Sequence, residues 1–214
     1  VTLVTDGADL TTLGLVAGTT TKELLPADPL AQLFPTGTLL SGTVTTGDTL
    51  RLWDGTAWIT FYHDGTAWQK QGGGAADTTL IRPDQGWMLR RRGAAKTVVL
   101  YGQAPSTSAV VPIVRGGSTY VSLLPVQQTF AEFQLQVKLP GWASNAASVT
   151  TGDYVSIWNG SLWLNYVYDG AKWIRQGVPT DAGATVLLKP GRPVFIHRPA
   201  AGSGSDLLLQ TKTY

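Results

Sequence analysis

Any chemistry in this chain would have to come from a small set of side chains. The carboxylates that could serve as acids or bases fall in a pattern. Asp48 recurs as Asp153 and Asp64 as Asp169, whereas the counterpart of Asp54 is Asn159. An amide cannot take or give the proton that a catalytic carboxyl handles. A turn residue survives that exchange, because Asp and Asn both tolerate left-handed backbone and both bond nearby main chain. The recurring acids are therefore read as turn residues, and Glu23 and Glu132 stand isolated. The two histidines, His63 and His197, sit opposite Tyr168 and Arg90 in the other half of the chain. With no His-x-x-x-His or His-Glu pairing, nothing points to zinc. No dense Asp-x-Asp loop points to calcium. The serines lie in Gly/Ala loops without a neighbouring His, so a triad has no support. The expectation is a protein without catalytic residues, metal or cofactor.

Tryptophan is the most suggestive residue type, with 8 in the chain. Six of them, Trp53, Trp58, Trp68, Trp158, Trp163 and Trp173, recur at equivalent places. Flat aromatic faces could stack on sugar rings. The structural alternative, a cross-strand aromatic ladder, is favoured by their fixed register beside tight turns. Trp87 and Trp142 have no aromatic counterpart, facing Val194 and Gly37. A large residue that the fold does not need twice is a candidate for contact with a partner or glycan. Trp142, next to Pro140-Gly141, is expected in a loop. The Arg90-Arg91-Arg92 run could bind an acidic glycan or phosphate, but reads better as charge ending an edge strand.

These residues are positioned by a repeat. Thr43 to Gly55 reads TVTTGDTLRLWDG and Ser148 to Gly160 reads SVTTGDYVSIWNG, an offset of 105 residues. The correspondence continues through Trp68-Gln69-Lys70-Gln71-Gly72 and Trp173-Ile174-Arg175-Gln176-Gly177, then through Met88-Leu89-Arg90-Arg91 and Phe195-Ile196-His197-Arg198. More weakly, Leu3 to Leu10 resembles Ile113 to Tyr120. The chain thus divides into unit one, residues 1–107, and unit two, residues 108–214, joined through Ala104 to Ala109.

Within each unit a smaller repeat marks hairpins. The dipeptides Asp54-Gly55, Asp64-Gly65, Asn159-Gly160 and Asp169-Gly170 are structural turns, of the kind that type I′ hairpins favour. Between them lie short alternating β-rich runs, so each unit contains a three-stranded, Trp-rich meander. Further strands are expected over Ile81–Arg91, Lys96–Tyr101, Val110–Val114, Phe133–Lys138, Val186–Leu188, Pro193–Arg198 and Leu207–Thr213. The one helix candidate, Thr21 to Phe34, is cut to a turn or two by Pro26 and Pro29. The fold expected is all-β: two tandem homologous units of sandwich or barrel type. Whether they share one core is left open by spacing alone.

Composition bounds the rest. The chain of 214 residues is 43% hydrophobic but only 14% charged, with net charge +2. So small a charge, scattered, does not suggest nucleic acid. The absence of Cys excludes disulfides and thiolate metal sites. No apolar run reaches the roughly 18 residues of a membrane helix. The first residue is Val1, and removal of a signal peptide would account for that, which points to an extracellular or cell-surface protein.

The Gly47-Asp48, Trp53-Asp54-Gly55, Asp64-Gly65 with Trp68, and Pro83-to-Arg91 stretches resemble an uncharacterised family of secreted tandem-repeat β proteins of Verrucomicrobia and Planctomycetes type. In unit two the matching stretch is Pro190 to Arg198, with Pro193 in place of the second glycine. The resemblance implies fold and export and brings no activity with it. The Asp-Gly-x-x-Trp hairpins bear a weaker likeness to phage fibre-type proteins.

The leading functional expectation comes from the chain ends. Val1 and Leu3 at one end, and Leu207, Leu209 and Thr211 at the other, lie in strand-like segments that could pair between subunits. A contact copying the internal junction would build an open, head-to-tail homopolymer, an extracellular fibre or sheath. The alternatives are a carbohydrate-binding surface protein using exposed tryptophans, and a phage fibre or receptor-binding protein. The partners expected are copies of the chain itself, or glycans, with neither nucleic acid nor membrane insertion.

Overall fold

The computed structural model describes residues 27–95, 109–122, 127–144, 149–199 and 201–210. Val1, Leu3, Thr211, the Lys96–Tyr101 segment and the 107/108 boundary lie outside the described residues. The protein is all-β, built from several antiparallel sheets. Its described residues fall into two compact units, one over 27–95 and the other over 109–210.

The first unit opens with β1 (Asp28–Pro29), which runs into a single helical turn, α1 (Leu30–Leu33). Pro29 occupies the N-cap, where its φ of −60° suits the extended cap conformation. The meander follows as β2 (Thr49–Trp53), β3 (Trp58–His63) and β4 (Trp68–Lys70), then β5 (Leu80–Ile81) and β6 (Trp87–Arg90). The main sheet has the order β4-β3-β2-β6, and β5 pairs back on β1. Alternation in β2 and β3 turns Leu50, Leu52 and Phe61 inward, where they meet Leu30, Phe34, Trp68 and Ile81 in one core cluster.

The second unit contains β7 (Ala109–Val114), β8 (Ser118–Val121), β9 (Gln128–Thr129), α2 (Phe130–Phe133) and α3 (Leu135–Lys138). Its meander is β10 (Tyr154–Trp158), β11 (Trp163–Tyr168) and β12 (Trp173–Arg175), followed by β13 (Val178–Asp181), β14 (Leu187–Leu188), β15 (Val194–His197) and β16 (Ser205–Gln210). The main sheet runs β13-β12-β11-β10-β15-β8, with β9-β14 and β7-β16 as two-stranded ladders. Its own core gathers Val111, Ile113, Phe130, Val155, Trp173, Ile196 and Leu208. The described residues thus form two cores, one in each unit.

The meanders β2–β4 and β10–β12, the strands β6 and β15, and the short ladders β1–β5 and β9–β14 correspond in order in the two units. Trp53 pairs with Trp58 across β2 and β3, and Trp158 with Trp163 across β10 and β11. Asp28 and Pro29 face Ile81 and Leu80, as Gln128 and Thr129 face Leu188 and Leu187.

Two expectations need correction. Phe133–Lys138 is helical, not a strand. Thr129 and Glu132 form a reciprocal capping box, satisfying end groups of α2. Phe130 and Phe133, three apart, bury one face, and Gln134 in the left-handed region (φ 52°) breaks α2 from α3. The hairpins are also not type I′, which needs positive φ at both central residues. Gly55, Gly65, Gly160 and Gly170 have φ between 104° and 111°, but the residues before them do not. The acid or amide instead caps the turn from outside. Asp54 Oδ1 accepts the N–H groups of Thr56 and Ala57 at 2.8 Å, and Asn159 Oδ1 those of Ser161 and Leu162 at 2.9 Å. The amide oxygen does the same work as the carboxylate, which is why the exchange is tolerated.

Candidate functional site: the outer faces of two equivalent sheets

Asp48 and Asp153 are not turn residues. Both are buried, at 1% and 0% exposure. Asp48 accepts the N–H groups of Leu40 (2.9 Å) and Arg92 (2.7 Å) and pairs with Arg91 Nε at 2.7 Å. Burial alone would raise its pKa, but the backbone donors and Arg91 outweigh that and hold the carboxyl below its ordinary value. Gly47 makes the arrangement possible: a Cβ there would stand 2.9 Å from the Gly42 nitrogen and 3.0 Å from the Leu40 carbonyl oxygen. In the second unit Asp153 accepts from Ala143 N–H (3.0 Å) and pairs with Arg198 Nε at 3.1 Å. Arg198, wholly buried, also binds Asp206 on β16, and Arg115 binds Asp206 from outside. The Asp–Arg pair is thus common to both units, and among the described residues the second adds one more acid and base.

The arginine run divides accordingly. Arg91 turns in to Asp48, and Arg92 donates to the Val44 carbonyl. Arg90 stays exposed at the end of β6.

Alternation sends the intervening residues of each meander to the outer face of its sheet, where Thr60, Ser156 and Phe195 are nonetheless buried. On the first sheet the intervening residues are Arg51, Trp53, Trp58, Thr60, Met88 and Arg90, since Arg51 faces both Thr60 and Met88 in register. On the second, the same places hold Ser156, Trp158, Trp163, Asn165, Phe195 and His197. The tryptophans meet edge-on or tilted, Trp53 with Trp58 at 5.5 Å and Trp158 with Trp163 at 5.4 Å between ring centroids. All four are half-buried.

The second face carries a row of hydrogen bonds that the sequence did not disclose. Ser118 and Ser156 lie on strands, not loops, and both meet His197. Ser118 Oγ is 2.6 Å from Nδ1, and Ser156 Oγ is 3.0 Å from Nε2. Ser156 donates to Asn165 Oδ1 (2.7 Å), and Asn165 donates to Gln176 Oε1 (2.9 Å). Ser156 having spent its proton on Asn165, the Nε2–H of His197 donates to Ser156 and Nδ1 is left to accept from Ser118. Burial pushes the His197 pKa down to about 4, so the ring is neutral near pH 7. So weak a base draws a serine proton poorly at neutral pH. The row is a neutral hydrogen-bond chain that ends on an exposed glutamine.

The remaining candidates are placed as follows. Trp87 packs on the first core, edge-on to Phe34 at 5.5 Å. Trp142 packs on the second, tilted against Trp173 at 5.6 Å with the Arg198 guanidinium over its ring. Both rings are half-buried. Leu207 and Leu209 lie on β16, which pairs with β7 of its own unit from Ser205↔Val114 to Gln210↔Ala109. His63 meets Thr36 and Ser41 and lies edge-on to Trp68. Among the described residues no group of three or more His, Cys, Asp or Glu could hold a metal ion, and no helix is long and apolar enough to cross a membrane. No family model, curated protein or solved structure matches the chain.

Proposed function

We propose that the protein is a non-catalytic, extracellular carbohydrate-binding protein that uses the outer faces of its two meander sheets. The observation that carries this is the repeated placement of a half-buried tryptophan pair beside a row of side chains with polar ends. Sugar rings present C–H faces that pack on aromatic rings and hydroxyl edges that need hydrogen bonds, so a binding surface for them combines both. Trp158 and Trp163 stand on the same face as Ser156 and Asn165, whose hydrogen-bond row runs on to Gln176. Export rests on the resemblance to secreted tandem-repeat proteins.

A head-to-tail fibre or sheath subunit is the reading that the chain ends suggested. Against it weighs the pairing of β16 with β7 inside its own unit, which already occupies one edge of the strand meant for a neighbour. Tryptophan fluorescence titrated with soluble glycans tests the proposal. Saturable quenching that is lost in Trp158→Ala or Trp53→Ala supports it. A glycan array without hits, together with sedimentation that shows concentration-dependent polymers, would replace it with the fibre reading. A stable trimer would favour a phage fibre-type role.

A further inference from the structure

The two outer faces differ in charge. On the first sheet Arg51 and Arg90 lie diagonally across the β2–β6 ladder, because Thr49 faces Arg90 and Arg51 faces Met88. Diagonal neighbours of this kind stand roughly 7–8 Å apart at Cα, within reach of a shared ligand for side chains this long. Neither guanidinium has a hydrogen-bond or ion-pair partner among the described residues, and Arg51 Nε is buried without an acceptor. Five of the six acids described in this unit are engaged elsewhere. Asp48 holds Arg91, Asp84 holds Arg82, Asp77 accepts from Trp68 N–H, and Asp54 and Asp64 cap their own turns. Leaving a half-buried guanidinium unpaired costs free energy, and two like charges side by side add to that cost. On the second sheet the equivalent places hold Ser156 and His197, which bond to each other.

From this geometry we infer that the outer face of the β4-β3-β2-β6 sheet binds anionic polysaccharide, with Arg51 and Arg90 taking its carboxylate or sulfate groups and Trp53 and Trp58 packing against its rings. The inference rests on the carbohydrate reading and narrows it to one face and one ligand class. Guanidinium forks match planar carboxylates and sulfates bidentately, and the bonds are charge-assisted. The stretch from Trp53 to the Thr49–Arg90 pair spans about 13 Å along β2, with Thr49 and Thr60 themselves buried and the longer side chains reaching past them.

The test uses the full chain with polygalacturonate and dextran sulfate as anionic probes, neutral xyloglucan and glucomannan as controls, and single-stranded DNA as a polyanion without sugar-acid chemistry. Affinities are read by fluorescence or calorimetry at two salt concentrations. Expected is anionic-glycan binding that weakens with salt, and that falls about tenfold in Arg51→Gln and again in Arg90→Gln. Neutral-glycan binding, carried by the second face, is expected to hold in both variants. Circular dichroism and Tm keep a folding failure apart from a binding loss, and Arg51→Lys should restore part of the affinity. If only neutral glycans bind, and equally in all variants, the inference fails while the carbohydrate reading stands. If no glycan binds, both fail. Binding to DNA as tight as to polygalacturonate would also overturn it, as would variants that bind the anionic probes unchanged. Preference for polygalacturonate over dextran sulfate, or the reverse, identifies the acidic group.

Discussion

The two units share a frame and differ on their outer faces. Positions that set geometry are kept: the turn-capping Asp or Asn, the cross-strand tryptophan pairs, and the buried Asp reached by the Arg just past β6 or β15. Other places on those faces have drifted, Arg51 against Ser156, Thr60 against Asn165, and Arg90 against His197, although Thr60 and Ser156 are buried. The shared Asp–Arg pair is also set differently in its surroundings. Asp48 keeps several backbone N–H donors and a partner that is 23% exposed. Arg198 is at 0% and serves two acids at once. A frame can be duplicated and its surface changed freely, but a buried charge cannot be changed alone.

The sharpest way to break the comparison is to remove that arginine from each unit. Arg198→Met leaves Asp153 buried without its arginine and Asp206 with Arg115 alone, and should cost about 3–5 kcal/mol. Arg91→Met leaves Asp48 with its backbone donors and should cost only about 1–2 kcal/mol. Urea denaturation of both variants measures the difference, and equal losses would show that the two pairs are energetically alike.

The second effect is pH dependence confined to the second unit. His197 has its pKa depressed to about 4 from an unfolded value near 6.5. Its contribution to stability is therefore complete above about pH 6.5 and is lost as pH falls toward 4, amounting to about 2 kcal/mol between pH 7 and 5. His197→Asn should flatten that window. Asp48, also depressed, keeps its contribution through this range and loses it only as pH falls below the ordinary carboxyl value. Denaturation midpoints at pH 7, 5 and 3.5 separate the two, and an unchanged slope in the His197 variant would refute the assignment.

The smallest effect is at the turns. Asp54→Asn copies the other unit and should leave Tm unchanged, whereas Asp54→Ala removes the acceptor for two N–H groups and should lower it slightly. A fall in Tm for the asparagine variant equal to that for alanine would mean that charge, not hydrogen bonding, holds the turn.

What was legible in the sequence was local. Alternation between Asp-Gly turns placed the meander and put Trp53 opposite Trp58, because strand register follows from turn position within a few residues. The α2 turn was missed: Thr129 and Glu132 form its capping box, but the apolar run after them reads as strand. The Asp48–Arg91 and Asp153–Arg198 pairs were hidden because their partners are over forty residues away. Nothing in a spacing of 79 residues ties Ser118 to His197. Arg51 looked like one polar residue in an alternating strand, and its want of a counter-charge among the described residues emerges only from the structure.

The ladder between β7 and β16 has a mechanical consequence. Ala109 and Gln210 are register partners at one end of the ladder. A pull applied at these two residues loads the ladder at one end, so its hydrogen bonds open one after another rather than together. The clamp of Asp206 by Arg115 and Arg198 lies at the far side of that path, opposite Ile113, and takes load only after the pairs from Gln210 to Leu207 have parted. Under such a pull the ladder yields first like a zipper and then meets a latch.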